Sequence, residues 1–267
     1  MIPYVYHFEI CERPEIPNWF RSDIFLTLSS VQKFVGLNKI LKSKVAPFIN
    51  TMNKDSPFEL IEMGTGDGDQ ILTLSQNLDQ RITIVATDKF PQVDLWKNKF
   101  QNTKNISWRA DSISFENIDR ALNGNNSVLF FNCAFHHMDN EKIKIFLRKT
   151  SSYGISIVIV EPMERNFLGL FFGAMGGLLA PLAIFNRGLS LGRRLRFLIL
   201  GWLIPVIPLV NFHDGILSTL RQKSDEEWRA LGQEFNYSVS FSKNLGFFKN
   251  FKIISLEPES SLTSALN

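Results

Sequence analysis

The sequence predicts an α/β fold in which a parallel sheet is covered by helices on both faces. Between positions 58 and 160, short continuous apolar runs alternate with stretches of helical periodicity, a pattern typical of βαβ units. The first apolar run, Phe58–Met63, leads into the glycine turn Gly64-Thr65-Gly66-Asp67-Gly68. Glycines at this spacing allow a backbone to approach a ligand closely, so the turn indicates a nucleotide-type cofactor site.

Each element follows from its local pattern. Apolar residues at helical spacing in Ser22–Phe48 predict an N-terminal helical layer within residues 1–52. Continuous apolar runs predict five strands, at Phe58–Met63, Ile82–Thr87, Ile106–Arg109, Ser127–Cys133 and Ile155–Val160. Helices are predicted between them at Asp69–Leu78, Gln92–Phe100, Asn117–Leu122 and Asn140–Ser151. Alternating apolar residues after position 233 predict a closing strand pair, which would end the sheet in an antiparallel element.

Two apolar runs follow the fifth strand and form a predicted hairpin insertion at residues 166–212. Phe167–Phe185 carries no charge, and Phe197–Val210 is also uncharged. A segment containing the arginines Arg187, Arg193, Arg194 and Arg196 lies between them. We interpret residues 1–267 as a single domain that carries this insertion.

Composition excludes several classes of protein. The net charge of +3 is small, and no basic tract is interleaved with aromatic residues, so nucleic acid is not an expected partner. Cys11 and Cys133 lie far apart, and the histidines and cysteines do not have the spacing of a metal site, so no metal is expected. The first residues contain no apolar leader, which favours a cytoplasmic location.

The spacing of the glycine turn distinguishes between two cofactor classes. A dinucleotide fingerprint requires a glycine at position 69, where this chain has Asp69. The spacing present is E-x-G-x-G-x-G, and further motifs follow in order: Asp88 after the second strand, Ala110-Asp111-Ser112 after the third, Asn132-Cys133-Ala134-Phe135-His136-His137-Met138 after the fourth, and Glu161-Pro162 after the fifth. Together these motifs resemble those of class I S-adenosylmethionine-dependent methyltransferases.

This resemblance implies a Rossmann-like seven-stranded sheet and S-adenosyl-L-methionine as the cofactor. It also implies a set of cofactor-binding residues, namely Glu62, Gly64, Thr65, Gly66, Asp67, Gly68, Asp88, Lys89, Asp111, Ser112 and Asn132. Asp88 is expected to accept hydrogen bonds from both ribose hydroxyls, and Asp111 from the adenine amino group, although Asp111 could instead cap a turn. Two positions depart from the common pattern, because Glu62 replaces an aspartate and Asp67 a glycine or cysteine.

The histidines His136 and His137 are the candidate catalytic bases. The sulfonium of the methyl donor already activates the methyl group, so the protein has to align the acceptor and remove its proton. A histidine can do so near neutral pH. The alternative is that either histidine only hydrogen-bonds a loop carbonyl. Glu161 and Asp214 are weaker candidates for the same pocket.

The hairpin points to a hydrophobic or lipid-like small-molecule acceptor. As helices, its arms would be about 28 Å and about 21 Å long, against roughly 30 Å for a hydrocarbon layer. Crossing would also carry the arginines to the far side, against the positive-inside tendency. We therefore expect an in-plane hairpin on the inner membrane surface, beside the acceptor pocket. Full spanning and a soluble lid or dimer interface remain alternatives, and the oligomeric state is open.

A similar hairpin occurs in a bacterial methyltransferase subgroup that this chain resembles over nearly its whole length. The segments Arg13-Pro14, Pro17-Asn18-Trp19-Phe20-Arg21 and His213-Asp214-Gly215-Ile216-Leu217-Ser218-Thr219-Leu220-Arg221 carry that resemblance. Two competing functions remain: a non-catalytic membrane-associated protein that retains the fold, and an NAD-dependent oxidoreductase.

Overall fold

The computed structural model describes residues 2–52, 56–122, 126–186, 189–245 and 251–259, with the side chains of 244 and 245 left aside. The chain divides into two compact units. One unit combines residues 1–37 with 163–223, and the other combines residues 38–162 with 224–267. These boundaries differ from the predicted segments 1–52 and 166–212, and the single-domain interpretation stays a prediction. The last residues, Ser260 to Asn267, for which the sequence predicts a frayed tail, lie outside the described residues.

The unit of residues 38–162 and 224–267 contains one seven-stranded sheet with strand order β3-β2-β1-β4-β5-β7-β6. β1 to β5 are parallel, whereas β7 pairs antiparallel with β5 and β6. The strands are β1 Phe58–Met63, β2 Ile82–Thr87, β3 Ile106–Trp108, β4 Ser127–Asn132, β5 Ser156–Glu161, β6 Tyr237–Leu245 and β7 Phe251–Pro258. This confirms the predicted α/β fold, the seven-stranded sheet and the antiparallel closing pair.

α3 Ala46–Asn50 precedes β1 in this unit. Four further helices lie between strands in sequence, as βαβ connections require, and they are α4 Asp69–Ser75, α5 Val93–Phe100, α6 Asn140–Ser152 and α10 Asp225–Glu234. An aromatic cluster packs β4 against α6 and α10, with ring centroids of Phe131 and Phe135 4.9 Å apart and those of Phe135 and Trp228 5.0 Å apart. The central strands are buried along nearly their whole length, which explains their continuous apolar sequences.

Two predicted helices are wrong in detail. Asn117–Leu122 is not an α-helix: a 3-10 helix covers Phe115–Arg120, and Asn117 has non-helical angles. The Asn117 side chain accepts a hydrogen bond from the Ser114 backbone at 2.6 Å, which competes with regular helix formation. The long helical layer Ser22–Phe48 is interrupted at Gly36, whose φ is +90°. α1 Asn18–Phe34 therefore ends before α2 Leu37–Ile40 begins.

In the unit of residues 1–37 and 163–223, the apolar hairpin consists of three α-helices rather than two arms. α7 Phe167–Leu179 continues as a 3-10 helix, Ala180–Phe185, around Pro181. α8 Leu191–Leu198 extends as a π-helix to Leu203, and α9 Val206–Leu220 follows after a bend of 70°. Pro205 lies at the bend. Among the described residues, Phe167–Phe185 is the one helix long and apolar enough to cross a membrane.

The N-terminal segment is fixed to α9 by buried polar contacts. The carboxylate of Asp214 accepts hydrogen bonds from the backbone N–H groups of Ile10 at 2.8 Å and Cys11 at 3.1 Å. The buried Arg221 pairs with Glu9 at 3.1 Å and with Glu12 at 2.9 Å. The segment from His213 to Arg221 therefore has a structural function, and Asp214 is committed to it.

α7 and α9 approach each other through glycines. A Cβ added at Gly173 would lie 2.3 Å from the carbonyl oxygen of Gly215, and one at Gly177 would lie 2.6 Å from that of Pro208. Only hydrogen fits at these positions, so the two backbones pack at a distance that a larger residue would prevent.

Replacing Gly173 by Ala should destabilise this helix pair by roughly 1–3 kcal/mol, because the new methyl overlaps backbone atoms of α9. Gly176→Ala is the matched control on the same helix, since nothing lies within 4 Å of its added Cβ. That change should be neutral or stabilising by up to about 1 kcal/mol through helix propensity. Urea unfolding followed by circular dichroism measures both, and equal stability of the two variants would contradict the close packing.

Candidate active site

The site begins at the end of β1, where the chain turns with three glycines in the left-handed region. Gly64, Gly66 and Gly68 have φ values of +84°, +58° and +82°. Gly68 starts α4, and a Cβ there would lie 2.7 Å from the ring of Phe100. Nothing lies within 4 Å of the position that a Cβ of Gly66 would occupy. The turn is therefore packed at Gly68 and open at Gly66, where a ligand could approach the backbone.

Side chains from two other elements hold this turn in place. Asp88 accepts a hydrogen bond from the Gly66 N–H at 2.8 Å, and the indole N–H of Trp96 donates to the Gly66 carbonyl at 2.9 Å. Lys99 donates to the Asp67 carbonyl at 2.8 Å and pairs with the Asp69 carboxylate at 2.5 Å. The turn therefore has a fixed shape before any ligand binds.

Trp96 and Lys99 are functional residues that the sequence reasoning missed. Both lie on α5, three residues apart and hence on one face of the helix. The sequence signal for Lys99 was its positive charge, because Asp67 in the turn and Asp69 directly after it require a cation nearby. Asp67 is thus a structural anchor of the turn, paired with Lys99 at 3.2 Å.

Glu62 is a buried carboxyl with an unused oxygen. Its side chain lies at the end of β1 with 2% exposure, and Oε2 has no hydrogen-bond partner among the described residues. Burial, together with the charges of Asp88 and Asp67, raises the pKa of Glu62 to about 8 against the lowering effect of a hydrogen bond with Thr65. A ligand with a positive charge or a hydrogen-bond donor would satisfy this oxygen.

Asp88 lies at the end of β2, as predicted, but its carboxylate also stabilises loops. One oxygen accepts from Gly66 N–H, and the other accepts from Phe90 N–H at 2.8 Å. A carboxylate oxygen can accept more than one hydrogen bond, so these contacts are compatible with the predicted ribose contact. The Lys89 side chain lies over the Phe90 ring at 5.3 Å, and its carbonyl accepts from Ser112 Oγ at 2.7 Å.

Asp111 is one of the exposed residues of the predicted cofactor-binding set. Its side chain is 62% exposed and pairs with Arg120 at 3.3 Å. The neighbouring loop is joined to β2, because Ile113 N–H donates to the Asp88 carbonyl at 2.9 Å. The structure therefore brings the Asp111-Ser112 loop beside Asp88 and Lys89, and the adenine contact of Asp111 stays a prediction.

The second half of the site lies at the ends of β4 and β5. Asn132 ends β4, and Cys133 adopts a left-handed conformation with φ of +56°. The buried Glu161 at the end of β5 accepts from the His136 backbone N–H at 3.2 Å, and its Oε2 lies 2.9 Å from His136 Nδ1. An ionised Glu161 selects the tautomer with hydrogen on Nδ1, which leaves Nε2 of His136 as a proton acceptor.

His137 and Cys133 complete the arrangement. The rings of His136 and His137 lie 4.4 Å apart between centroids, and His137 is the more exposed of the two. Burial raises the pKa of the Cys133 thiol, and the charges of Glu161 and Glu62 raise it further. A Cβ added at Gly64 would lie 2.9 Å from the Cβ of Ala134, so the glycine turn and the loop that carries the histidines adjoin each other in one site. Asp214, in contrast, belongs to the other unit.

Three solved structures resemble this architecture. The chain aligns with a candidate O-methyltransferase from Nostoc punctiforme at a TM-score of 0.56 and 12% identity, covering 96% of this chain and 64% of that one. It aligns with the CurJ carbon methyltransferase at 0.52 and 13%, covering 90% and 58%. For a SAM-dependent methyltransferase from Aquifex aeolicus the values are 0.50 and 13%, with 86% and 97% covered.

These comparisons define the fold: the chain has the class I methyltransferase fold, as predicted from its motifs. It spans just under two thirds of the Nostoc protein and somewhat less of CurJ. No protein-family model matches the chain, and no curated protein matches it in sequence.

Glu62→Gln should flatten the pH dependence of stability measured without ligand. The pKa of Glu62 is raised to about 8 in the folded chain, against about 4.3 when unfolded. The stability that this carboxyl contributes is therefore complete below about pH 4.3 and is lost as the pH rises towards about 8. Urea midpoints of the wild type should fall over this interval, and those of Glu62→Gln should fall less. Glu59→Gln, on the same strand, is the control, and identical profiles for Glu62→Gln and wild type would contradict the assignment.

Proposed function

We propose that this protein is an S-adenosylmethionine-dependent methyltransferase that transfers a methyl group to a hydrophobic or lipid-like small molecule at the membrane surface. The observation that carries the proposal is the buried His136–Glu161 pair at the ends of β4 and β5, within the same site as the rigid glycine turn. The methyltransferase fold supports it.

The residues present fit the cofactor. The unused Oε2 of Glu62 suits the ammonium of a methionine moiety, and the open backbone at Gly66 allows close approach. Asp88 retains acceptor capacity for ribose hydroxyls. When bound, S-adenosylmethionine supplies an electrophilic methyl on a sulfonium. The protein's own contribution is to hold the acceptor in line and to manage its proton.

His136 has the position and the tautomer for a general base. Nε2 of His136 can take a proton from the acceptor, and the charge that then forms on the imidazole is stabilised by Glu161 on the opposite nitrogen. Glu161 is almost fully buried, so this stabilisation is little screened by water. His137 lies beside this pair and is more exposed than His136, so it is better placed to contact the acceptor.

The class of acceptor is argued from the apolar unit that follows the site in sequence. Only residues 162–166 separate Glu161, which ends β5, from the start of α7. α7 and the segments after it expose many large apolar side chains, an arrangement suited to apolar molecules or to lipid. An inner-surface membrane location follows from this proposal.

A non-catalytic protein with the same fold is the alternative. It would have no requirement for an imidazole and a carboxylate paired at the carboxyl ends of β4 and β5, the edge of a parallel sheet at which ligands bind. The position of the His136–Glu161 pair therefore favours an enzyme. An NAD-dependent oxidoreductase is disfavoured because Asp69, paired with Lys99, stands where its third glycine would be.

Three calorimetric titrations test the cofactor. Binding of S-adenosylmethionine and S-adenosylhomocysteine, without binding of NAD, is the expected result. The Glu62→Gln variant should bind both more weakly, since it removes the carboxylate from the site. Binding of NAD alone would overturn the proposal.

His136→Ala should lower methyl transfer by about 10²- to 10⁴-fold, the usual contribution of a general base, while the affinity for S-adenosylmethionine stays unchanged. Glu161→Gln should also lower transfer, because Nδ1 of His136 loses its anionic partner. The assay follows labelled methyl from S-adenosylmethionine into an organic extract of membranes, and mass spectrometry identifies the product. His137→Ala is the matched neighbour and should retain more activity than His136→Ala. Unchanged methyl transfer in His136→Ala would contradict the assignment of His136 as the general base.

A further inference from the structure

α7 buries its small residues and exposes its large ones. Gly169, Gly173, Gly177 and Ala180 are buried, and they recur every three or four residues on one face of the helix. The exposed large apolar residues of α7 and of the 3-10 helix after it lie mostly on the opposite face, and they are Phe167, Leu168, Phe171, Leu178, Leu182 and Phe185. A helix in water has the reverse arrangement, with large apolar residues inside. The distribution fits an apolar surrounding medium instead.

α8 has a similar arrangement, because its paired arginines face the protein and its leucines face outward. Asp23 on α1 is fully buried and accepts from Arg193 Nε at 2.6 Å and from Arg196 Nε at 3.0 Å. Arg193 also donates to the Ser22 carbonyl at 2.9 Å, and Arg196 lies over the Trp19 ring at 5.4 Å. The charged side of α8 is therefore attached to α1.

The apolar side of α8 consequently points away from α1. Leu191, Leu195 and Leu198 recur every three or four residues and are each at least half exposed. The stripe continues through Trp202 and Leu203 at the bend before α9, where both side chains are exposed. Phe197 of α8 shares a core cluster with Ala180 and Ala183 of the 3-10 helix that follows α7. The exposed large residues of α7, of this 3-10 helix and of α8 therefore belong to one packed unit, and we refer to them together as the outer apolar face.

The arginines have a different arrangement from the one that the sequence suggested. Arg193, Arg194 and Arg196 lie in α8 rather than in a loop, and Arg187 lies outside the described residues. Arg193 and Arg196 are committed to Asp23, whereas Arg194 is exposed. Their role is therefore largely to orient α8.

The unit that carries the outer apolar face has a net positive charge. It contains ten lysines or arginines against six acidic residues, and residues 166–212 contain four arginines and no acidic residue. This charge is complementary to anionic lipid headgroups. It disfavours a second copy as the occupant, because a two-fold contact would bring together two units of the same net positive charge.

We infer that the outer apolar face inserts into the interfacial layer of an anionic bilayer, with α7 and α8 lying in the plane of the membrane and Trp202 at the headgroup level. This inference rests on the proposed function, and it names an anionic bilayer as the partner that presents the methyl acceptor. The Asp23 contacts with Arg193 and Arg196 fix the orientation of α8, so that its leucines face the lipid. Apolar burial provides the insertion, and the positive charge favours anionic membranes.

Flotation with vesicles tests the inference on the full chain. Wild-type protein should float with vesicles of phosphatidylcholine mixed with phosphatidylglycerol, and less with phosphatidylcholine alone. The double variant Leu195→Glu, Leu198→Glu should reduce the floating fraction by about tenfold or more, because it places charges on the inserted face. Ile145→Glu is the matched control: Ile145 is 59% exposed on α6 of the other unit, and its variant should float like the wild type. Circular dichroism of each variant checks that the fold is retained.

Two measurements separate failure of this inference from failure of the proposed function. Calorimetry with S-adenosylmethionine in detergent should give equal binding for the wild type and the double variant. Wild-type protein that binds the cofactor but does not float with either vesicle would overturn the membrane face and leave the methyltransferase proposal standing. A dimer in light scattering without vesicles that the double variant breaks would assign the face to a second copy instead. Loss of cofactor binding in the wild type would overturn the proposed function, whatever the vesicle result.

Discussion

The candidate site depends on the pairing of β4 with both β1 and β5. Met63 of β1 lies opposite Phe131 of β4, and Asn132 of β4 lies opposite Val160 of β5. Because all three strands run in the same direction, Glu62, the segment after Asn132, and Glu161 emerge side by side at one edge. A shift of register by one residue would turn each of these side chains to the other face of the sheet. The continuous apolar core on both faces fixes that register.

The sheet could be predicted from the sequence because parallel strands buried on both faces leave a clear signal. β1 and β2 have the predicted boundaries, since a glycine turn and Asp88 mark where their apolar runs end. The 3-10 helix at Phe115–Arg120 and the π-helical turns could not be predicted, because they depend on side-chain hydrogen bonds and packing rather than on periodicity. The breaks within the hairpin had a visible cause in Pro181 and Pro205, but the direction of α8 depends on Asp23, which lies far away in sequence.

The chemistry of the site was predictable in kind and not in detail. The glycine spacing and the adjacent histidines identified the relevant loops. Sequence could not separate His136 from His137, because the difference between them is a contact with Glu161, twenty-five positions further along the chain. It also could not assign Asp67 to Lys99, or Asp214 to the backbone of Ile10 and Cys11. The sequence identifies each of these residues as acidic, but only its burial and its hydrogen-bond partners show that its role is structural.

The strand order has a consequence for the synthesis of the chain. β7 is the last strand in sequence, yet it lies between β5 and β6 in the sheet. During translation, β5 is complete at Glu161 long before its antiparallel partner begins at Phe251, so one edge of the sheet stays unpaired while α7, α8 and α9 leave the ribosome. β6 also has no place in the sheet until β7 arrives. The apolar helices are therefore available to a membrane before the sheet is closed, and a nascent chain that reaches the bilayer early would complete its sheet next to it.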